Sequence, residues 1–200
     1  SLTTNAFQRH DTPMSKQLRI YALGGLRITV DDTAVTGLAS RKADALLFYL
    51  AANPRPHARE TLATLLWDDR PTKRALANLS VILSSLRKHL DEYLVITRQS
   101  IGINPQADIW LDTNFFVETV TATAVQGNDQ ALSSSQASQL AQVVELYTDD
   151  LLLDFFLRSA AGYEEWATLE RERLRQSAQE ALGRLVVYHQ GHRQLAAAID

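Results

Sequence analysis

The sequence predicts an α+β domain with an N-terminal β-sheet, followed by an all-α domain. Three observations predict this order: short apolar alternations near the start, amphipathic helices and a hairpin in the middle, and helical periodicity from Phe115 onward. Residues 1–15 are polar and aperiodic, so we expect a flexible tail there. The two predicted domains cover residues 16–113 and 114–200.

Two alternating runs open the first domain. Residues 18–23 and 26–31 alternate apolar and polar side chains on either side of Gly24 and Gly25, a pattern typical of a hairpin. Ala34-Val35 predicts a short third strand. These segments make up the predicted N-terminal sheet.

Two helices are predicted after this sheet. The first spans residues 41–52, with Ser40 as its N-cap, and ends at the proline-containing residues 53–56. The second spans about residues 58–67 and ends at residues 68–71. Both have leucines on an inward face, so we expect them to share a core.

The third predicted helix, residues 73–90, carries the most informative pattern. Its apolar side chains fall on one face at helical spacing, which predicts packing onto a core. That stripe consists of Ala75, Leu79, Ile82, Leu83, Leu86 and Leu90. The opposite face holds cations, hydroxyls, an amide and a valine, but no acid. Its candidate contact residues are Lys73, Arg74, Asn78, Val81, Ser84, Ser85 and Lys88.

These residue types suit contact with DNA. Lys and Arg neutralise phosphates, while Asn and Arg form paired hydrogen bonds with base edges in the major groove. Val81 is an apolar residue on the polar side, where it suits contact with a thymine methyl group. The alternative is a solvated helix face, although such faces usually mix both signs of charge.

A hairpin follows the third helix directly. Leu94, Ile96, Ile101 and Ile103 keep a period of two around a polar turn, which indicates two strands. Arg98 lies at or near the tip, within reach of a phosphate or the minor groove. Three helices followed by a hairpin predict a winged helix-turn-helix domain, with residues 73–90 as the recognition helix.

Charge divides the chain into two parts. Residues 16–105 carry 13 Lys and Arg against 8 Asp and Glu, a balance of +5. Residues 114–200 carry 6 against 12, a balance of −6. The split favours a polyanion as the partner of the first part. The sequence shows no signal peptide and no apolar run long enough for a membrane span, so we expect a cytoplasmic protein without membrane contact.

The second part reads as helices throughout. Residues 136–147, 163–174 and 178–188 are predicted helices, and Gly191 is predicted to turn the chain into another helix at Ala196. A helix, a Gly turn and an Ala-rich helix are typical of a tetratricopeptide-like pattern. Because the last helix lacks a partner, we expect further domains after residue 200.

An ordered series of segments runs through both predicted domains. In the first domain they are Arg41-Lys42 and residues 45–47, 65–68, 77–79, 84–87 and 109–112. In the second they are Leu146-Tyr147, Leu151-Leu152, Trp166 and residues 170–174. On these segments, residues 18–113 resemble the OmpR-type winged helix. Residues 18–200 together resemble the Streptomyces antibiotic regulatory protein (SARP) family, which joins that winged helix to a bacterial transcriptional activator domain (BTAD).

The resemblance implies an activator of transcription. It implies double-stranded DNA as a partner, binding at promoter direct repeats by more than one subunit, and contact with RNA polymerase. Similar sequences often have Arg where this chain has Leu76, Ser80, Val81 and Ser85. That thin basic face leaves a second hypothesis open, a protein-interaction module of a larger signalling protein whose winged helix has weak or no DNA binding.

Patterns for catalysis, cofactors and metals are weak by comparison. The chain has no Cys, which excludes disulfides and Cys-based metal sites. His189 and His192 are three residues apart but lack an acidic or Cys ligand at suitable spacing. Ser85 and Lys88 match the S-x-x-K pattern without its partner motifs. We therefore expect no enzyme, no cofactor and no metal site.

Overall fold

The computed structural model describes residues 16–125 and 132–199, so the predicted tail of residues 1–15 lies outside the described residues. Strands and short helices come first, and longer helices follow. The strands are β1 (Leu18–Tyr21), β2 (Arg27–Val30), β3 (Thr33–Ala34), β4 (His57–Ala58), β5 (Leu94–Ile96), β6 (Ser100–Ile103) and β7 (Ile109–Leu111). The helices are α1 (Arg41–Ala52), α2 (Arg59–Leu66), α3 (Thr72–Leu90), α4 (Asp112–Val125), α5 (Ser134–Val144) and α6 (Ala161–Ile199).

The N-terminal sheet has the order β3-β2-β1-β7. The predicted hairpin is confirmed, because β1 and β2 are antiparallel with Ile20 opposite Ile28. The fourth strand, β7, was not predicted. It pairs parallel to β1, with Leu18 opposite Ile109. The chain therefore returns to the first sheet after the hairpin, before α4 begins.

The second sheet has the order β4-β6-β5. The predicted hairpin corresponds to β5 and β6, and the two-residue strand β4 adds an edge that the sequence did not indicate. A Cβ atom at Gly102 would lie 3.3 Å from the carbonyl oxygen of Arg55. The absence of a side chain there lets the loop before β4 lie against β6.

The three helices α1, α2 and α3 pack around the core as the sequence predicts. Helix α1 has the predicted bounds, although the Ser40 side chain makes no capping hydrogen bond. All six residues of the predicted stripe on α3 are buried, with Leu79, Leu86 and Leu90 fully so. Each such leucine contributes roughly 1.5–3 kcal/mol by leaving water. The buried stripe thereby fixes which face of α3 points outward.

The helices from α4 onward and the segments between them, called the helical part below, are connected to the first sheet by hydrogen bonds. The amide of Leu152 donates to the carbonyl of Ala22 at 2.9 Å, and that of Leu153 donates to Gly24 at 2.8 Å. The Thr148 hydroxyl donates to the carbonyl of Leu23 at 2.8 Å. Residues 148–153 thus form hydrogen bonds with residues 22–24, which directly follow β1.

Helix α6 corrects the prediction for the second part. Residues 163–174 and 178–188 belong to one continuous helix, and the predicted turn at Gly191 is wrong. Gly191 lacks the left-handed backbone that a helix-ending glycine usually adopts. A glycine inside a helix costs only about 1 kcal/mol, and the neighbouring residues support the helix. The turn was the basis of the tetratricopeptide-like prediction, so the described residues give that pattern no support.

Helix α4 begins at Asp112 and therefore crosses the predicted boundary between residues 113 and 114. None of the helices described in residues 16–125 and 132–199 has the length and apolar character needed to cross a membrane.

Candidate nucleic-acid interface

The outward face of α3 presents its cations to solvent. Lys73, Arg74 and Lys88 are all exposed, and Val81 between them has 65% of its surface accessible. Within the described part of the chain, these three cations form no ion pair and no side-chain hydrogen bond. Their charges are therefore available to a polyanion.

The polar residues of the same face differ in their availability. The Ser84 hydroxyl donates to the carbonyl of Ser80 one turn earlier, at 2.9 Å. The Ser85 hydroxyl accepts from the amide of Ala39 at 3.0 Å, which fastens the segment before α1 to this edge of α3. Asn78 is half-buried on the same edge, and its side-chain amide has no hydrogen-bond partner among the described residues. Asn78 is thus the more available group for reading a base edge.

The wing is the hairpin formed by β5 and β6, and its tip is a closed turn. The Thr97 hydroxyl accepts from the amides of Gln99 and Ser100, at 3.2 and 2.8 Å. The Thr97 amide donates to the carbonyl of Ser100 at 2.9 Å. Arg98 lies inside this turn and is exposed, without an ion pair among the described residues. The turn therefore displays one cation beside α3.

Two arginines that sequence analysis missed join the wing to the helices. Arg59, the first residue of α2, donates to the carbonyl of Thr97 at 3.1 Å and to the hydroxyl of Ser80 at 3.3 Å. Arg87 of α3 donates to the carbonyl of Ile96 at 3.1 Å. Strand β4 directly precedes Arg59 and pairs with β6, so predicting this strand would have placed Arg59 beside the wing. A strand of two residues, however, is too short to show the alternation that predicts a strand.

The first turn of α3 concentrates positive charge where a helix is already positive. Lys73 and Arg74 lie in that turn, which contains no acid. Cations near a helix N-terminus are disfavoured by about 0.3–1 kcal/mol, because the amide dipoles point their positive ends there. An anion placed at the same point would be bound by both the amides and the side chains.

Arg41 and Lys42 hold the helical part against α1. Arg41 donates to the carbonyl of Asp154 at 2.8 Å. The Lys42 ammonium donates to the carbonyls of Leu66 and Ser159. Burial lowers the pKa of Lys42, and nearby Asp69 opposes that shift. These two matched motif residues therefore connect α1 to the end of α2 and to the segment before α6.

The comparisons with known proteins concern the fold. No protein family and no curated protein matches the sequence. The chain is similar to a solved structure of EmbR from Mycobacterium tuberculosis, determined in complex with a low-affinity phosphopeptide. The identity is 24% and the TM-score 0.62, over 92% of this chain and 51% of the EmbR chain. The chain thus spans about half of EmbR, and the similarity shows that the chain shares the fold of that part of EmbR.

Proposed function

We propose that this chain is a sequence-specific DNA-binding regulator of transcription of the SARP type. The observation that carries the proposal is the set of unpaired cations on the outward face of α3, beside a wing that displays Arg98. In this arrangement α3 enters the major groove and the wing crosses the adjacent backbone. The unfavourable placement of Lys73 and Arg74 at the helix N-terminus supports the proposal, because a bound phosphate would reverse its cost.

By its resemblance to the SARP family, the chain activates transcription, binds promoter direct repeats as more than one subunit and contacts RNA polymerase. Among the residues that the structure describes, the cations of the candidate interface without an ion pair or side-chain hydrogen bond are Lys73, Arg74, Lys88 and Arg98. Side-by-side binding of copies would raise the overall affinity without new contacts in each copy.

The salt dependence of binding tests the electrostatic part. Four phosphate contacts per subunit give a slope of about −3.6 in log K against log salt, or roughly a 100-fold loss between about 50 and 200 mM. Promoter duplexes, or duplexes selected from a random pool, would be titrated at several salt concentrations by fluorescence anisotropy. No duplex binding at the lowest salt would refute the proposal.

Two substitutions separate backbone contacts from base contacts. We expect Lys88→Ala to weaken binding to all sequences and to lower the slope by about 1. We expect Asn78→Ala to relax base preference at one position, by about 1–3 kcal/mol, and to leave the slope unchanged. Arg158→Ala, an exposed cation of the helical part, is the matched control and should bind like the wild type. Wild-type binding by both α3 variants would show that the face assignment is wrong.

The second candidate function is a protein-interaction module. It is favoured by the groove between α4 and α5, which has a volume of about 460 Å³ and is bordered by Phe115, Val143 and Leu146. Phe115 exposes 46% of its surface there. Under this hypothesis Lys88→Ala has no effect on the protein's function, while Phe115→Ala abolishes capture of its protein partner.

A further inference from the structure

The wing is held by side chains from the helices and not only by its own strands. Arg59 reaches both partners of the candidate interface, because one guanidinium nitrogen donates to Thr97 in the wing and another to Ser80 on α3. The Arg59 amide also donates to the carbonyl of Gln99 at 3.1 Å. Arg59 is therefore bonded on both sides of Arg98.

We propose that Arg59 is a positioning residue, which fixes the wing at a set distance and angle from α3 so that Arg98 meets a phosphate while α3 lies in the groove. The inference rests on the proposed function. It assigns Arg59 no contact with DNA of its own.

The geometry favours positioning over a direct phosphate contact. The Ser80 hydroxyl that accepts from Arg59 also donates to the carbonyl of Leu76, at 2.9 Å, so its direction is fixed by the helix. The guanidinium is thus held between a carbonyl oxygen and a hydroxyl of set position. Arg59 is also half-buried, whereas Arg98 is exposed. To contact a phosphate, Arg59 would have to break its hydrogen bonds to Thr97 and Ser80, whereas Arg98 makes no side-chain hydrogen bond to any residue that the structure describes.

Because the turn at the tip of the wing is closed by its own hydrogen bonds, an anchor on Thr97 also holds Arg98. Thr97 closes the turn with its hydroxyl and its amide, so the tip moves as one unit. A second arginine, Arg87, holds the preceding residue of the wing from α3. An isolated hairpin is marginally stable, so such anchors decide its mean orientation. Without the Arg59 side chain, the tip keeps the bond from Arg87 to Ile96 and the main-chain bond from residue 59 to Gln99, but it loses the link between Thr97 and Ser80 of α3.

Hydrogen exchange in the free protein tests the positioning role without DNA. We expect Arg59→Ala and Arg59→Lys to raise exchange at the amides of residues 59, 97 and 100 by about 10-fold or more, a loss of about 1.4 kcal/mol in local stability. Lysine keeps the charge but lacks the fork that reaches two acceptors. Exchange at the core amides of Leu46 and Leu47 should not change, which separates local opening from loss of the fold.

Arg55→Ala is the matched control. Arg55 is an exposed arginine in the loop before β4, and it has no side-chain hydrogen bond or ion pair among the described residues. The proposal is supported if the amides of residues 59, 97 and 100 exchange at the wild-type rate in the Arg55 variant and faster in both Arg59 variants. Wild-type exchange in Arg59→Ala overturns it.

Duplex binding then distinguishes positioning from direct contact. We expect Arg98→Ala and Arg59→Ala each to lower the salt slope by about 1, and the double variant to lower it no further. A fall of about 2 in the double variant, or a normal slope in Arg59→Lys, would show that Arg59 binds a phosphate itself and would overturn the proposal. If the wild type binds no duplex, the proposed function fails, and the exchange rates alone decide whether Arg59 holds the wing.

Discussion

Half-buried polar side chains join the two parts of this chain residue by residue. Lys42 shows the principle. Its ammonium lies 5.0 Å from the Trp67 ring and donates to Leu66 at the end of α2 and to Ser159 before α6. Ser159 adopts a left-handed backbone with φ of 53°, a conformation that is uncommon outside glycine. One lysine thus connects three segments that are distant in sequence.

Replacing Lys42 should therefore destabilise the whole chain. We expect Lys42→Met to lower the free energy of unfolding by about 1–3 kcal/mol, because it leaves the part-buried carbonyl of Leu66 without this donor. Lys73→Met is the control, since Lys73 is exposed and unpaired among the described residues, and its change should stay within about 0.5 kcal/mol. Urea unfolding monitored by tryptophan fluorescence would measure both, and equal effects would contradict the assigned role of Lys42.

Sequence patterns predicted residues that act through their own helix and missed residues that act across the fold. The buried stripe of α3 and its exposed cations follow from helical periodicity, which the local sequence carries. Arg59 and Lys42 depend on partners 38 and 117 residues away, at Thr97 and Ser159. No local pattern encodes such distances. The DNA-contact residues themselves stay a prediction, because exposure and free charge permit contact without demonstrating it.

At the scale of elements, the success of the predictions varied. Helices α1, α2, α3 and α5 were predicted within three residues of their observed bounds, whereas α4 was given no bounds and α6 was divided into shorter helices. Strands of two or three residues, β4 and β7, were missed because they are too short to show alternation. Glycine was the other source of error. Gly24 has φ of 107° and lies in the connection between β1 and β2, where it pairs with Leu151, whereas Gly191 lies inside a helix. The sequence alone does not separate these two uses.

Alanine substitution separates the two uses of glycine. Because Gly191 lies inside a helix, we expect Gly191→Ala to raise the free energy of unfolding by about 0.5–1 kcal/mol. We expect the same effect from Gly183→Ala within the same helix. Nothing described lies within 4 Å of the added methyl groups. Gly24→Ala should destabilise the chain, because its Cβ would lie 2.9 Å from the Thr148 hydroxyl and its backbone is left-handed. Destabilisation by Gly191→Ala would restore the predicted turn at that position.

At the scale of the whole molecule, the first sheet is connected both to the wing and to the helices that follow it. The wing leads through β7 back to β1, and residues 148–153 form hydrogen bonds with residues 22–24, directly after β1. Asp112, the first residue of α4, accepts hydrogen bonds from the amides of Ala22 and Leu23 at 2.7 and 2.9 Å. Its other carboxyl oxygen is buried and has no partner among the described residues. A buried carboxyl group thus lies at the junction of the two parts.

Asp112 makes the stability of this junction depend on pH. Burial raises the pKa of Asp112 above its ordinary value of 3.8, although the amides of Leu23 and Ala22 partly oppose the shift. The folded chain therefore holds this proton more tightly than the unfolded chain. Its contribution to the free energy of unfolding is greatest below pH 3.8 and decreases as the pH rises through the folded pKa.

Asp150 gives the opposite dependence and serves as the control. The hydrogen bond from Arg175, at 2.6 Å, lowers the pKa of the Asp150 carboxyl below 3.8. The folded chain therefore holds this proton less tightly. Its contribution is present above pH 3.8 and is lost as the pH falls through the lowered pKa.

Subtracting the unfolding free energy of each asparagine variant from that of the wild type isolates the two groups, because all other titrations are shared. The difference for Asp112→Asn should decrease as the pH rises above 3.8, whereas that for Asp150→Asn should increase with pH below 3.8. Urea unfolding at a series of pH values spanning 3.8 would measure both. A flat curve for Asp112→Asn would mean that water reaches its unpartnered oxygen, and hence that the junction between the sheet and α4 is open to solvent.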